Sequence, residues 1–332
     1  MRDVHIFNVG HEDIISGGYL YNKYLVGELN DLDVRVFTHF LGNNESMKTY
    51  FHLVKQDDVV LIDSLLLVQE SNFVFQNKEK FNLIGLIHLP QYFDPEKASN
   101  RKLIFEIEKS LFDAIPLIVT SDYIKEEICK TFGISPKQVM VIDPAAGFSK
   151  KKENHPQLPL KLISVGNVVE RKGYEMMLLG LATINDLDWQ LNIFGSKDDE
   201  IYFEGLQSKI FHFKMENKIH FFDPVSHDEI HQKMLEHDLL LNTSSFETYN
   251  MIIAEALSVN LPFISTKVGA YRKFDTYQGG IFLKTFQQIE FANELRKLLT
   301  HQGVYTKLHS SNQPFEVRTW QMVAQEFKSI LA

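Results

Sequence analysis

Short apolar runs recur along this chain, and a stretch of helical spacing follows most of them. Val4–Val9 ends at Gly10, and Tyr19, Leu20, Tyr24, Leu25, Glu28 and Leu29 then follow at helical intervals. Asp33–Thr38, Val59–Asp63, Asn82–His88, Leu117–Thr120 and Val139–Ile142 read as further strands. Ala98–Phe112 and Tyr123–Phe132 read as helices, the second with Ser121-Asp122 as its N-cap. Short apolar strands alternating with helices imply parallel strands joined by crossover helices, the doubly wound α/β arrangement.

The rhythm breaks at Ser149–Pro159, a polar stretch with prolines at 156 and 159. It reads as a linker, or else as an ordinary surface loop. Strands then resume at Leu160–Val165, Gln190–Phe194, Ile219–Phe222, Leu239–Asn242 and Pro262–Ser265. Helices are expected at Gly173–Thr183, Ile201–Glu216, His227–His237 and Asn250–Ser258. Phe315–Ala332 reads as an amphipathic helix with Trp320, Val323, Phe327 and Ile330 on one side. A length of 332 residues suits two domains. The expected division is 1–150 plus 315–332, and 151–314.

Composition narrows the function. Lys+Arg is 34 against Asp+Glu 43, a net charge of -9, which argues against a global field for nucleic acid. The single cysteine, Cys129, excludes an internal disulfide and a Cys-based zinc cluster, and fits a reducing compartment. No apolar run approaches the roughly 18–20 residues that span a bilayer. The expected location is cytoplasmic, with peripheral contact at the inner face of the membrane left open. His227 and His231 lie four apart, but Asp228 and Glu229 beside them read as a solvated face, and no metal site is expected.

In parallel sheets, ligands bind beyond the carboxyl ends of the strands, so the residues there matter most. After Asn242 comes a Ser/Thr-rich loop, then Glu247, and Glu255 eight positions on. Eight helical residues rise about 12 Å, close to the reach from a sugar across a diphosphate to a ribose. The helix start around Thr248, Tyr249, Asn250 and Met251 offers free N–H groups to phosphate. Alternatively, Glu247 is a favourable first-turn acid and Glu255 a solvated one. Glu255 lies within Met-Ile-Ile-Ala-Glu-Ala-Leu, however, and an acid in that setting needs a partner. Arg171-Lys172 precede a helix after the strand that ends at Gly166, and suit a diphosphate as fork and point charge. Gly17-Gly18 allow close approach to a ligand, but the dinucleotide fingerprint is missing. His88-Leu89-Pro90 closes a strand with a histidine, and Asp63 closes another. Solvated loops, a flexible turn and a core histidine are the bland alternatives for these pieces.

Together these residues resemble the GT-B glycosyltransferases, specifically the retaining glycosyltransferase family 4. The resemblance covers most of the chain. It rests on Gly17-Gly18, Ile62-Asp63-Ser64, His88-Leu89-Pro90, Gly166 with Arg171-Lys172-Gly173, Phe194-Gly195-Ser196, and Glu247 with Glu255-Ala256-Leu257. It implies two Rossmann-like domains facing across a cleft, the first for the acceptor and the second for a UDP-, GDP- or ADP-sugar. It also implies a closing helix that crosses back to the first domain. By this resemblance Glu247 touches the donor sugar and His88 sits beside it. Arg171, Lys172, Gly18 and the segment Thr248, Tyr249, Asn250 and Met251 hold the diphosphate. Glu255, Val225 and Ser196 face ribose and base, and Gly17 and Asp63 lie on the acceptor side. The implied reaction needs no metal or other cofactor. It transfers sugar with retention to the hydroxyl of a sugar, glycan or lipid-linked sugar, by front-face attack. Three departures from the family pattern stand out: Asn167 where arginine is frequent, Asn250 where glycine is expected, and Asp143-Pro144-Ala145-Ala146-Gly147 where a glycine often follows Val141-Ile142. An epimerase or hydrolase on the same fold, or a non-catalytic partner subunit, are the rival readings.

Overall fold

The computed structural model describes residues 2–11, 17–42, 45–146, 159–311 and 314–331. Most of the expected linker, Ser149–Pro159, lies outside them. Contacts divide the chain into two units, Met1–Ala145 with Arg318–Ala332, and Ala146–Val317.

The first unit runs β1 (Val4–Val9), α1 (Gly17–Asp31), β2 (Val36–Leu41), β3 (Val59–Asp63), α2 (Ser64–Gln69), α3 (Ser71–Asn77), β4 (Asn82–Ile87), α4 (Arg101–Ala114), β5 (Leu117–Val119), α5 (Asp122–Phe132) and β6 (Val139–Val141). Its sheet has the order β2-β1-β3-β4-β5-β6, and every neighbour is parallel. All of β3 is buried, as a strand covered on both faces must be.

The second unit runs β7 (Leu160–Val165), α6 (Tyr174–Ala182), β8 (Trp189–Phe194), α7 (Glu200–His212), β9 (Ile219–Phe222), α8 (His227–Glu236), β10 (Leu239–Asn242), α9 (Met251–Ser258), β11 (Phe263–Ser265), α10 (Tyr271–Asp275), β12 (Gly280–Phe282), α11 (Gln288–Thr300) and α12 (Gln302–Ser311). Its sheet is also wholly parallel, in the order β12-β11-β10-β7-β8-β9. Strand periodicity divides its core. Leu239 and Leu241 pack with Trp189 and Phe291 in one cluster, whereas Leu240 between them packs with Ile253 and Phe263 in another.

The last helix, α13 (Trp320–Leu331), belongs to the first unit. Trp320 stacks on Tyr24 at 5.3 Å and meets Tyr21 edge-on. The Lys328 ammonium donates to the Leu32 carbonyl, and Arg318 Nε to that of Asp143. The expected return of the closing helix to the first half is therefore observed.

Several boundaries differ from expectation. β2 begins at Val36, because Asp33 takes a left-handed φ of 61° in the turn before it. α4 begins at Arg101, after a 3-10 turn over Pro95–Asn100. The Ser121 hydroxyl caps α5 as anticipated, accepting from Ile124 N–H.

Candidate functional site

Both sheets reverse their strand order beside a central strand. In the second unit β7 lies between β8 and β10, so the switch point falls between β7 and β10. Chains leaving the carboxyl ends of two such strands diverge and open a crevice for ligands. The loop after β7 carries Arg171 and Lys172, and the loop after β10 carries Glu247.

The two loops are fastened together. Arg171 and Lys172 sit in a 3-10 turn that ends at Gly173, whose φ is 68°. A Cβ there would fall 2.0 Å from the Thr243 carbonyl oxygen, so only glycine lets the loops approach this closely. The Thr243 hydroxyl donates to the Gly173 carbonyl at 3.0 Å, and Ser245 N–H donates to the Arg171 carbonyl at 2.8 Å. Lys172 Nζ thereby reaches Glu247 Oε1 at 2.7 Å, and Arg171 Nη1 lies 3.4 Å from Oε2. Arg171 also donates to the Phe246 carbonyl, and the Ser244 hydroxyl lies 2.7 Å from Glu247 Oε1. Burial alone would raise the Glu247 carboxyl, but the Lys172 and Arg171 charges win and hold it down to about 2. Glu247 is thus a fixed anion.

The helical segment after Glu247 is shorter than the spacing suggests. Thr248, Tyr249 and Asn250 precede α9, which starts at Met251, so only part of the path from Glu247 to Glu255 is helical. The cause is Asn250, whose φ of 78° turns the chain left-handed and stops the helix from extending backwards. The Asn250 side chain is buried, and among the described residues neither its Nδ2 nor its Oδ1 has a hydrogen-bond partner. Tyr249 is a core residue, packed edge-on against Phe274 at 5.3 Å. Glu255 is buried and does have the partner its setting demands: His227 Nε2 donates to its Oε1 at 3.0 Å. His227 therefore faces inward from its helix, although Asp228 and Glu229 beside it are exposed. Ser196 donates to Asp198, and Val225 packs half-buried against the core.

In the first unit the reversal lies between β1 and β3, where Asp63 is the last residue of β3 and His88 follows β4. Asp63 caps α2, its Oδ1 accepting from Leu65 N–H at 2.8 Å. Burial pushes its carboxyl up to about 6. His88 Nε2 lies 2.8 Å from Asn22 Oδ1, and Asn22 Nδ2 donates to Asn8 Oδ1 at 2.7 Å. Burial lowers the imidazole to about 4, so His88 is neutral near pH 7 and Nε2 carries its proton toward Asn22. Gly17 is exposed at the start of α1, and Gly18 lies against the His88 ring, where a Cβ would come within 3.1 Å. Among the described residues, no group of three His, Cys, Asp or Glu could hold a metal ion. No helix among them is long and apolar enough to cross a membrane.

The profile of the glycosyl transferases group 1 matches residues 147–313, just over half of the chain. The chain belongs to this family. A protein of 41.2 kDa from the cps region of Klebsiella pneumoniae, itself uncharacterized, is 23% identical over 208 residues. That match covers 60% of this chain and 56% of the relative, so the chain spans little more than half of that protein's length. Among solved structures, sucrose-phosphate synthase from Thermosynechococcus elongatus superposes with a TM-score of 0.77 at 16% identity, covering 99% of this chain and 98% of that one. Alr3699/HepE from Anabaena, solved in complex with UDP-glucose, gives 0.73 at 16% identity, covering 98% and 99%. At these identities the likeness is one of fold, and the fold is that of the GT-B glycosyltransferases.

For a group 1 glycosyl transferase, the structure brings together Arg171, Lys172 and Glu247 as the sequence anticipates, and adds three residues it did not indicate. Ser244 joins Glu247, His227 pairs with Glu255, and Asn22 holds His88. The apolar setting of Glu255 signals that a partner must exist, but not which residue it is.

Proposed function

We propose that this chain transfers a sugar from a nucleotide-diphosphate sugar to an acceptor hydroxyl, with retention and without a metal ion. The observation that carries this reading is the ion cluster at the β7/β10 switch point. It sets an anion, Glu247, between two cations, Lys172 and Arg171. A carboxylate that stays ionised accepts hydrogen bonds from sugar hydroxyls. The two cations and the first N–H groups of α9 offer countercharge to a diphosphate, and their attraction grows as the leaving phosphate gains charge. Glu255 takes ribose hydroxyls, with Val225 and Ser196 toward the base. Of the first-unit residues, His88 serves the transferred sugar, Gly18 the phosphate, and Gly17 and Asp63 the acceptor. In the step proposed, the bond from the anomeric carbon to the phosphate oxygen breaks. The acceptor oxygen bonds to that carbon on the same face, and its proton passes to the departing phosphate.

A neighbour of the same fold was solved with UDP-glucose, which makes uracil the first base to try. The test is a thermal-shift panel of UDP, GDP, ADP and their sugar conjugates, followed by transfer assays of Glu247→Ala. A ligand bound by the native state alone raises stability by mass action. Expected are a shift with one nucleotide class and loss of transfer in the variant at unchanged fold. Full transfer by Glu247→Ala would sink the assignment. One observation favours a second reading, a non-catalytic subunit on the same fold: Asn250 occupies the expected glycine position with an unpaired, buried amide. Absence of a shift with every nucleotide would select it.

A further inference from the structure

Glu255 and His227 form a buried pair that the proposed reaction leaves half used. The Glu255 side chain is 6% exposed and that of His227 10%. An ionised carboxylate can only accept, so His227 Nε2 carries the hydrogen across the 3.0 Å to Oε1. The second oxygen, Oε2, has no hydrogen-bond partner among the described residues. The histidine sits on a firm base. It is the first residue of α8, directly after an N-cap that is locked reciprocally: Glu229 N–H donates to Ser226 Oγ at 3.3 Å, and Ser226 N–H donates to Glu229 Oε2 at 2.9 Å.

We propose that His227 is a positioning residue for nucleoside recognition, which holds Glu255 by one carboxylate oxygen and leaves the other aimed for a ribose hydroxyl. This rests on the reading of Glu255 as the ribose acceptor. Without the histidine, a buried carboxylate on an apolar helix face would rotate toward water or take up a proton, and either change spoils it as an acceptor. The charges around the ring favour the pair. Burial opposes the imidazolium, but Glu255 from α9 and Asp228 on the same helix outweigh it, so the ring holds its proton more tightly than a free histidine. A protonated ring also cancels the Glu255 charge, which removes a repulsion that an anionic nucleotide would otherwise meet.

The test compares UDP, GDP and ADP, each with its 2′-deoxy counterpart, by calorimetric titration of the full chain. The wild type should prefer the ribonucleotide of the class it binds by about tenfold or more, the scale of one charged hydrogen bond. His227→Ala should compress that preference to within about twofold, while inorganic pyrophosphate binds as before. His227→Gln, whose amide nitrogen reaches about where Nε2 lies, should keep more of the preference than His227→Asn, whose amide is too short. The ordering of these two variants carries the test even if the alanine variant folds poorly. A full ribose preference in His227→Ala, together with a lost one in Glu255→Gln, would overturn the role of His227 and leave Glu255 in place. A full preference in Glu255→Gln would overturn both assignments.

Discussion

The two strand-end clusters hold their carboxylates in opposite ways. In the second unit Glu247 is surrounded by compensating charge and is held down to about 2. In the first unit His88 Nε2 lies 3.9 Å from Asp63 Oδ2, and burial shifts each group toward its neutral form, the carboxyl up to about 6 and the imidazole down to about 4. One region holds its carboxylate ionised far below neutral pH, and the other holds a carboxyl and an imidazole that burial shifts toward their uncharged forms. In the proposed reaction the charged cluster would meet the diphosphate and sugar hydroxyls, and the first-unit cluster the transferred sugar and the acceptor. The two regions also differ in acid behaviour. Glu247 is depressed from 4.5, so its stabilisation is present above 4.5 and is lost as pH falls toward about 2. His88 is depressed from 6.5, so its contribution is present above 6.5 and is lost as pH falls toward about 4. Asp63 is raised from 3.8, so it costs stability as pH climbs from 3.8 to about 6.

The sharpest way to break this comparison is Lys172→Met. It leaves Glu247 with Arg171 alone at 3.4 Å. Nucleotide-diphosphate binding should weaken by about 1.5–3 kcal/mol, the scale of a hydrogen bond to a charged group. Calorimetric titration measures it, and an unchanged affinity would remove Lys172 from the site. Asp63→Asn tests the other region. The amide oxygen can still accept from Leu65 N–H, and asparagine caps helices as well as aspartate. Relieving the buried charge should stabilise the chain by about 1–3 kcal/mol at pH 8, with the gain fading as pH falls from 6 toward 4. Urea unfolding at several pH values reads this. A loss of stability at pH 8 would mean that the fold compensates the Asp63 charge.

Asn250→Gly gives a smaller and equally signed effect. It removes a left-handed asparagine and two unpaired buried polar atoms, against the greater freedom that glycine brings to the unfolded chain. The net expectation is a gain of about 1 kcal/mol, visible as a higher unfolding midpoint. A drop would show that the amide has a partner in solution. If the gain is accompanied by tighter nucleotide binding, the non-catalytic reading loses its main support.

How much of this was legible in sequence depends on range. Glu247 and Glu255 stand out because both sit in one short segment after a strand, and the apolar neighbours of Glu255 announce a partner. Lys172, 75 residues from Glu247, was legible as a site residue but not as its ion-pair partner, and His227, 28 from Glu255, and Asn22, 66 from His88, were not legible as partners, because the folded sheet supplies them. Asn22 lies on the buried side of α1 among Tyr21, Leu25 and Leu29, where it looks like an interruption of an apolar stripe. Asn250 shows the limit of spacing as evidence. Eight positions separate the two glutamates, but one left-handed residue shortens the helix between them. β12 is three residues long and begins at a glycine, too short for any period to show. The parallel sheets were legible because buried apolar strands carry their own signature, whatever their neighbours are.

The finest test of the contrast is Gly18→Ala, where two effects oppose each other. Gly18 is the second residue of α1, and alanine in a helix is favoured over glycine by about 0.5–1 kcal/mol. Its Cβ, however, would lie 3.1 Å from Cγ and Cδ2 of His88, closer than ordinary packing allows, so the ring must give by a few tenths of an ångström. The ring is also held by Asn22 at 2.8 Å from Nε2, so a shift strains that hydrogen bond. The two terms leave stability within about 0.5 kcal/mol of wild type. Catalysis should suffer more, because small displacements of a positioned group cost rate steeply: a several-fold fall in turnover is expected where about 1 Å costs a hundredfold. Unfolding midpoints and initial rates on the same preparations separate the two effects. A stable variant with slowed turnover places His88 beside the chemistry. A stable variant with full turnover makes the Gly18–His88 contact a matter of packing, and then only the charged cluster of the second unit remains tied to the reaction.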